Sequence, residues 1–300
     1  MKLSLVVPCY NEEENVALFY KEAMNTFEGT DLDYELVFVN DGSGDGTLDM
    51  LKKLCSGPVE MRIISFSRNF GKEAAMLAGL EAAAGDYVTV IDADLQQKPS
   101  TALEMVRILE SNPDIDVVAA YQESRSESKS LSFVKDTFYK VINKFSDTEF
   151  RENASDFRTF RRPVVDAITG IKEYFRFSKG IFSWVGFNTQ YLPYTPDERA
   201  NGETKWSFKK LLKYAVDGIE SFTVMPLKIP FVLGALFILI SVILFVIQLV
   251  RHAGVAVAAV FFTGGVILAC LGIIGEYLAK TYVQGKNRPI YIIKENITNR

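Results

Sequence analysis

The chain holds three cysteines, one histidine and a formal charge of only −4 across 300 residues. Cys9, Cys55 and Cys270 are scattered without metal-ligand spacing, which excludes a disulfide framework and a cysteine-ligated zinc site and implies a reducing compartment. His252 stands alone between two apolar runs and is a poor ligand candidate. No basic stretch is interleaved with aromatics, which argues against a nucleic-acid partner. The first strand-to-helix turn lacks Gly-x-Gly-x-x-Gly, and no Gly-Lys-Ser/Thr occurs, so a dinucleotide-binding fold and a P-loop NTPase are disfavoured. Leu3 to Pro8 is too short for the apolar core of a signal peptide.

What is abundant is apolar residue near the C-terminus. Phe231 to Val250 is a run of twenty residues without a charge, sixteen of them Leu, Ile, Val or Phe, and Gly254 to Ile274 is a second uncharged run. At helical rise each spans about 30 Å, the thickness of a bilayer's hydrocarbon core. The pattern predicts a two-helix transmembrane hairpin over residues 226–282. Lys205, Lys209, Lys210, Lys213 and Lys228 precede the first run, Lys280, Lys286, Arg288, Lys294 and Arg300 follow the second, and only Arg251 and His252 lie between. The positive-inside rule then puts both chain ends in the cytoplasm, giving a multi-pass protein of the inner or plasma membrane with a cytoplasmic domain over 1–225 and a cytoplasmic tail over 283–300.

Upstream, strand-like and helix-like segments alternate for about 120 residues. Leu3 to Val7, Tyr34 to Val39, Met61 to Phe66, Tyr87 to Ile91 and Asp116 to Ala120 read as strands. Asn11 to Glu14 reads as a helix start with Asn11 as N-cap and Glu14 closing a capping box. Gly71 to Ala84 is an Ala-rich helix, and Pro99 opens another at its first position. The expectation is an α/β fold with a mostly parallel sheet, helices on both faces, and ligands beyond the carboxyl ends of the strands. Pro8, Tyr10, Asp41, Arg68 to Lys72 and Asp92 to Gln96 all fall at such ends. After Tyr121 the alternation lapses. Residues 131–146 and 206–222 each carry an apolar helical stripe beside lysines, suited either to packing on a sheet or to lying in a membrane interface; the second leads directly into the first apolar run and favours the interface.

Asp92-Ala93-Asp94-Leu95-Gln96 directly follows the fourth strand. Alternation along an extended chain would point Asp92 and Asp94 to one side, with Gln96 adding an amide oxygen. Hard oxygens clustered this way suit Mg²⁺ or Mn²⁺.

Taken together, Val7-Pro8-Cys9-Tyr10-Asn11-Glu12, Asn40-Asp41-Gly42-Ser43-Gly44-Asp45-Gly46-Thr47, Arg68-Asn69-Phe70-Gly71-Lys72 and Asp92-Ala93-Asp94-Leu95-Gln96 resemble the inverting family 2 glycosyltransferases with the A-type nucleotide-sugar fold. Ser155-Asp156-Phe157-Arg158, the stretch from Arg199 to Trp206 and the two apolar runs are similar to the polyprenyl-phosphate branch, which includes bactoprenol glucosyltransferases and dolichyl-phosphate mannosyltransferases. The resemblance implies that Pro8, Tyr10 and Glu12 line a nucleoside pocket, that Asp41 bonds the uracil or ribose, and that Asp92, Asp94 and Gln96 hold Mg²⁺ or Mn²⁺ against a diphosphate. It implies diphosphate contacts from Arg199 and Lys205, a catalytic role for Asp94 and Asp156, and substrate binding by Lys72. Arg125, Lys129 and Lys135 are candidate cations for an acceptor phosphate near the bilayer. Glu12 also reads as a first-turn acid favoured by the helix dipole, Asp41 as a turn former, Asp156 as a partner of Arg158, and Lys205 as a juxtamembrane anchor.

Asn40 stands where the family commonly has Asp, and Gln97-Lys98-Pro99 replaces its usual acidic or His residue before prolines. The expected reaction is transfer of a hexose, first choice glucose from UDP-glucose, to undecaprenyl phosphate with inversion; UDP-N-acetylglucosamine and GDP-mannose are the alternatives. A processive polysaccharide synthase would carry Gln-x-x-Arg-Trp and more spans, and a catalytically silent membrane adaptor would have lost its metal ligands. Gly265 and Ala269, four apart in the second run, are compatible with close helix packing in the homo-oligomers the resemblance suggests.

Overall fold

The computed structural model describes residues 1–122, 154–195, scattered positions of 227–243, and 256–299. The expected helices at 131–146 and 206–222, and the candidates Arg125, Lys129, Lys135, Arg199 and Lys205, lie outside the described residues.

β1 (Lys2–Cys9), β2 (Asp33–Asn40), β3 (Glu60–Phe66) and β4 (Tyr87–Val90) alternate with α1 (Glu13–Phe27), α2 (Thr47–Leu54) and α3 (Lys72–Ala82). There follow α4 (Pro99–Ser111), β5 (Val117–Gln122), β6 (Ala154–Arg161), α5 (Arg162–Gly170), α6 (Ser178–Trp184), β7 (Thr189–Tyr194), α7 (Ala256–Gly285) and β8 (Ile293–Thr298). The eight strands form one sheet in the order β7-β5-β6-β4-β1-β2-β3-β8. Its centre is parallel, as the alternation predicts. β5 and β7 are also parallel, and the sheet is mixed because β6 runs antiparallel to both β4 and β5 and β8 runs antiparallel to β3.

Period-two alternation splits the central strands between two cores. Leu3, Leu5, Leu36, Phe38, Met61 and Ile63 face α1, α2 and α4, whereas Val6, Val37, Val39, Ile64 and Phe66 face α3 and α5. Burial of both faces explains why these strands read as continuous apolar runs. The Ala-rich sequence of α3 has a steric reason: a Cβ on Gly79 would come within 2.2 Å of Val6 Cγ1, so the helix lies close against the sheet. At the opposite end from the ligand-facing loops, buried Glu35 accepts the Ser4 hydroxyl, the Ala84 N–H at 2.7 Å and an ion pair from Lys2 at 3.0 Å. Burial works against its charge, but these donors outweigh it and hold its carboxyl below the usual range.

Two sequence expectations change here. Asn11 is not the N-cap of α1; it takes a left-handed backbone (φ 54°), α1 starts at Glu13 after Glu12, and no side chain caps it. The reason is a better use for Asn11, whose Oδ1 accepts the Gly44 N–H at 2.9 Å and whose own N–H donates to Ser43 Oγ at 3.0 Å.

The stretch read as a tail over 283–300 returns to the sheet. β8 covers the edge of β3, Asn299 Oδ1 accepts the Met61 N–H at 2.9 Å, Asn299 Nδ2 donates to Val59 O at 2.8 Å, and Lys52 pairs with Glu295 at 2.6 Å. Tyr291 stacks on Phe66 and donates its hydroxyl to Glu81. Covering β3 satisfies an edge whose N–H and C=O groups would otherwise face solvent.

Among the described residues, one helix is long and apolar enough to cross a membrane, over Phe262–Gly285, and its apolar stretch is not buried against the rest of the protein. The first predicted span falls largely outside the described residues, so the expected two-span, multi-pass arrangement rests on sequence. Described positions between 227 and 243 are helical, and the ring of Phe237 lies 5.0 Å from that of Phe262.

Candidate active site

The four strand exits are knitted together by loop contacts. The β1 exit bonds to the β2 exit through Asn11 and through the Glu12 N–H, which donates to Thr47 Oγ1 at 2.9 Å. Glu13 Oε2 accepts the Gly46 N–H at 2.9 Å. Pro8 closes this side within β1, and Tyr10 is exposed beside it. The Glu12 carboxylate accepts Asn15 Nδ2 at 2.7 Å while its carbonyl starts the helix. Its structural role is therefore the α1 entry.

The β2 exit is bonded to the β3 exit by Asp41. Its two carboxylate oxygens accept the backbone N–H groups of Phe70 (2.6 Å) and Gly71 (2.9 Å), and the residue is only 3% exposed. Burial pushes its carboxyl above the ordinary range, partly offset by the two amides and Arg68. Gly42, at φ 62°, passes so close to this loop that a Cβ would fall 2.3 Å from the Arg68 carbonyl carbon. Asp41 thus shapes the loop that delivers Lys72, each of its oxygens accepting one backbone N–H.

The β4 exit differs from the extended arrangement expected of it. β4 stops at Val90, residues 93–97 form a turn, and Leu95 is left-handed (φ 60°). Asp92 and Asp94 are consequently not alternate members of a strand: Asp92 meets Lys72, while Asp94 Oδ1 turns back to accept the Gln96 N–H at 3.2 Å. Gln97 holds this turn, accepting the Asp92 N–H at 3.0 Å and reaching Ser155 Oγ at 3.3 Å with its amide nitrogen.

Asp156 enters from β6. The antiparallel register pairs Val88 with Phe160 and Val90 with Arg158, so the exit of β4 adjoins the amino end of β6, where Asp156 lies. Lys72, first residue of α3, reaches between them, with Nζ 2.6 Å from Asp92 Oδ1 and 3.6 Å from Asp156 Oδ2. Burial opposes the Lys72 charge, but Asp92 and Asp156 outweigh it and hold the ammonium above its ordinary range. Burial likewise opposes ionisation of Asp156, and Lys72, Lys179 and Arg158 overcome it, so the carboxyl sits below its ordinary range. Asp156 Oδ1 is buried and has no hydrogen-bond partner among the described residues.

The structure therefore brings Lys72, Asp92 and Asp156 into contact, with Asp94 and Gln96 on the adjoining turn and Asp41 behind. Gln97 and the link between Asp92 and Asp156 were not legible as site features, because the register of β6 on β4 is non-local. Among the described residues no group of three or more His, Cys, Asp or Glu side chains is arranged to hold a metal ion. Two carboxylates and an amide are nonetheless hard oxygen donors, which fit a Mg²⁺-like ion that completes its shell with water and phosphate.

Residues 4–169 match the family description "Glycosyl transferase family 2", and residues 225–281 match "GtrB C-terminal hairpin". The protein CsbB of Bacillus subtilis is 41% identical over 99% of this chain and 93% of its own length. The prophage bactoprenol glucosyl transferase homolog of Escherichia coli K12 is 37% identical over 98% of this chain and 99% of its own. The bactoprenol glucosyl transferase of Shigella phage SfV is 37% identical over 98% of both chains.

Proposed function

The chain belongs to glycosyl transferase family 2, and on that premise we propose that it transfers a hexose from a nucleotide diphosphate sugar to polyprenyl phosphate with inversion at the anomeric carbon. The observation that carries this reading is Lys72 held between Asp92, at the carboxyl end of β4, and Asp156, at the amino end of the antiparallel β6. Relatives named bactoprenol glucosyl transferases support the acceptor and support glucose as the sugar, and UDP-glucose is the donor proposed ahead of UDP-N-acetylglucosamine or GDP-mannose.

The bond formed joins a phosphate oxygen to the anomeric carbon, and the bond broken joins that carbon to the donor's diphosphate. A phosphate monoester loses its second proton near pKa ~6, so the attacking oxygen is already an anion at neutral pH and needs no general base. Asp156, held ionised by its surrounding cations, instead orients Lys72 and meets the positive charge that develops on the sugar. Asp92, Asp94 and Gln96 would hold Mg²⁺ or Mn²⁺, and that ion would offset charge on the departing diphosphate. Lys72 adds a fixed positive charge on the same side. The span at Phe262–Gly285, paired with the apolar run ending at Val250, would anchor the chain in the inner or plasma membrane with the sheet on the cytoplasmic side. Gly265 and Ala269 are exposed on it and would suit helix contacts in a homo-oligomer.

The test is a donor panel. Purified full-length protein is given undecaprenyl phosphate and each of the three nucleotide sugars, with Mg²⁺, with Mn²⁺ and with chelator, and lipid products are read by mass spectrometry. A single chelator-sensitive hexosyl phospholipid is expected, from UDP-glucose. Absence of any lipid product from protein shown to be folded refutes the reading.

A further inference from the structure

The loop between α5 and α6 is tied down on two sides. Toward the sheet, Arg176, only 8% exposed, donates Nη1 to Ile171 O at 2.6 Å and Nη2 to Ile168 O at 3.4 Å, closing the end of α5. Lys172 pairs with Glu81 of α3 at 3.0 Å. Away from the sheet, the loop is bonded to α7. Gln284 Oε1 accepts the Tyr174 N–H at 2.7 Å and Gln284 Nε2 donates to Lys172 O at 3.0 Å, so one side-chain amide satisfies two backbone groups of the loop. One turn earlier on α7, Lys280 Nζ lies 5.6 Å from the centre of the Phe175 ring. The loop thus follows α7 from Gln284 toward its apolar part.

Helix geometry gives the depth at which this happens. The uncharged run that starts at Gly254 ends at Ile274, six residues before Lys280, or about 9 Å along a helix. The headgroup layer is roughly 5–8 Å thick on each side of the hydrocarbon core. Side chains lean toward the N-terminus of their helix, which on α7 is toward the apolar run, so Lys280 Nζ and the Phe175 ring beside it fall at headgroup depth. Gln284, about 15 Å past Ile274, lies below that layer. Tyr277 and Tyr282 flank Lys280 on α7, at the level where aromatic belts form, and Tyr282 is 64% exposed. Phe175 itself is 37% exposed. Charges of both signs meet here, Glu173 and Glu276 with Lys172 and Lys280, so the surface suits phospholipid headgroups in general rather than a lipid of one charge.

We infer that the loop over 172–175 is a lipid-contacting element of the sheet domain, that Phe175 enters the headgroup layer beside α7, and that Gln284 is the positioning residue that fixes the loop at that depth. The partner is the phospholipid bilayer. The inference rests on the proposed membrane anchorage by α7 and adds to it a contact from a part of the chain that hydropathy does not single out.

The experiment reads depth by tryptophan quenching in full-length protein reconstituted in phosphatidylcholine nanodiscs, with Trp184→Phe and Trp206→Phe as background. One reporter is added at a time: Phe175→Trp in the loop, Leu268→Trp within the apolar part of α7, and Leu18→Trp on α1, across the sheet. The quenchers are phosphatidylcholine carrying a nitroxide on its headgroup or deep in its acyl chain, and melting temperature is the folding control. Phe175→Trp is expected to be quenched about twofold more by the headgroup label than by the chain label, Leu268→Trp the reverse, and Leu18→Trp by neither. Adding Gln284→Ala should reduce quenching of the Phe175→Trp reporter by the headgroup label and leave that of Leu268→Trp as it was; no reduction overturns the role of Gln284. Glu173→Trp, exposed on the same loop, replaces Phe175→Trp should that variant melt below its background. A loop reporter quenched no more than Leu18→Trp, with Leu268→Trp quenched by the chain label, overturns the inference while the anchorage stands. Leu268→Trp unquenched by either label means that α7 is not in the bilayer, and the anchorage and the inference fail together.

Discussion

Asp41→Asn separates two accounts of one residue. As a nucleoside ligand, Asp41 would affect donor KM and little else. As the residue that shapes the β3-to-α3 loop, it is part of the fold. Its oxygens accept the Phe70 and Gly71 amides at 2.6 and 2.9 Å in a site that is 3% exposed, so neither amide has water to turn to. An asparagine can accept only one of them, and its NH₂ then faces the other N–H. The substitution removes one charge-assisted bond and leaves one buried donor unsatisfied, about 3 kcal/mol together. For a domain of this size that is a fall in Tm of roughly 6–12 °C. Because Lys72 directly follows Gly71, the same change should lower turnover as well. The assay is a thermal melt of the detergent-solubilised protein beside steady-state kinetics with UDP-glucose varied. A raised donor KM with unchanged Tm and unchanged kcat would refute the loop-shaping argument and restore the nucleoside contact.

Lys72→Met should leave Asp92 and Asp156 facing each other without a cation and reduce kcat about a hundredfold, with Lys72→Arg partly restoring it; wild-type kcat in the methionine variant would remove Lys72 from the site. Asp94→Asn should abolish the difference between turnover with Mg²⁺ and with chelator, measured by product mass spectrometry, and a variant as metal-dependent and active as the wild type would rule out Asp94 as a ligand. For Glu35, the folded carboxyl lies below the unfolded value of about 4.3, so its contribution to stability is present above that value and is lost as pH falls through the folded one. Denaturant melts at stepped pH should show Glu35→Gln closing the gap to wild type on the acid side. Asn299→Ala removes the clasp on Met61 and Val59 and should cost about 1–2 kcal/mol; an unchanged denaturation midpoint would mean the C-terminal strand is not coupled to the sheet.

The parallel core was legible from local patterning. Five apolar runs separated by helical segments, Pro99 at a helix start and the small residues of α3 each specify a local conformation through side-chain period, fixed φ or close approach, and each reappears in the structure. The placement of Pro8, Asp41, Lys72 and Asp92 at strand ends followed from the same alternation. The clustering of apolar residues after 226 likewise needs only hydropathy to be read.

What tertiary structure decided is pairing between distant segments. No local signal states that β6 inserts antiparallel between β4 and β5, yet that pairing brings the amino end of β6, with Asp156, to the exit of β4. Nor does a basic, polar C-terminal stretch announce that it will cover the β3 edge. The Asn11 cap failed because Ser43 and Gly44, more than thirty residues away, competed for its side chain and N–H. Backbone preference acts over a few residues and is written in them, whereas strand order, register and the partner of a buried charge depend on which surfaces meet after the chain has closed its loops.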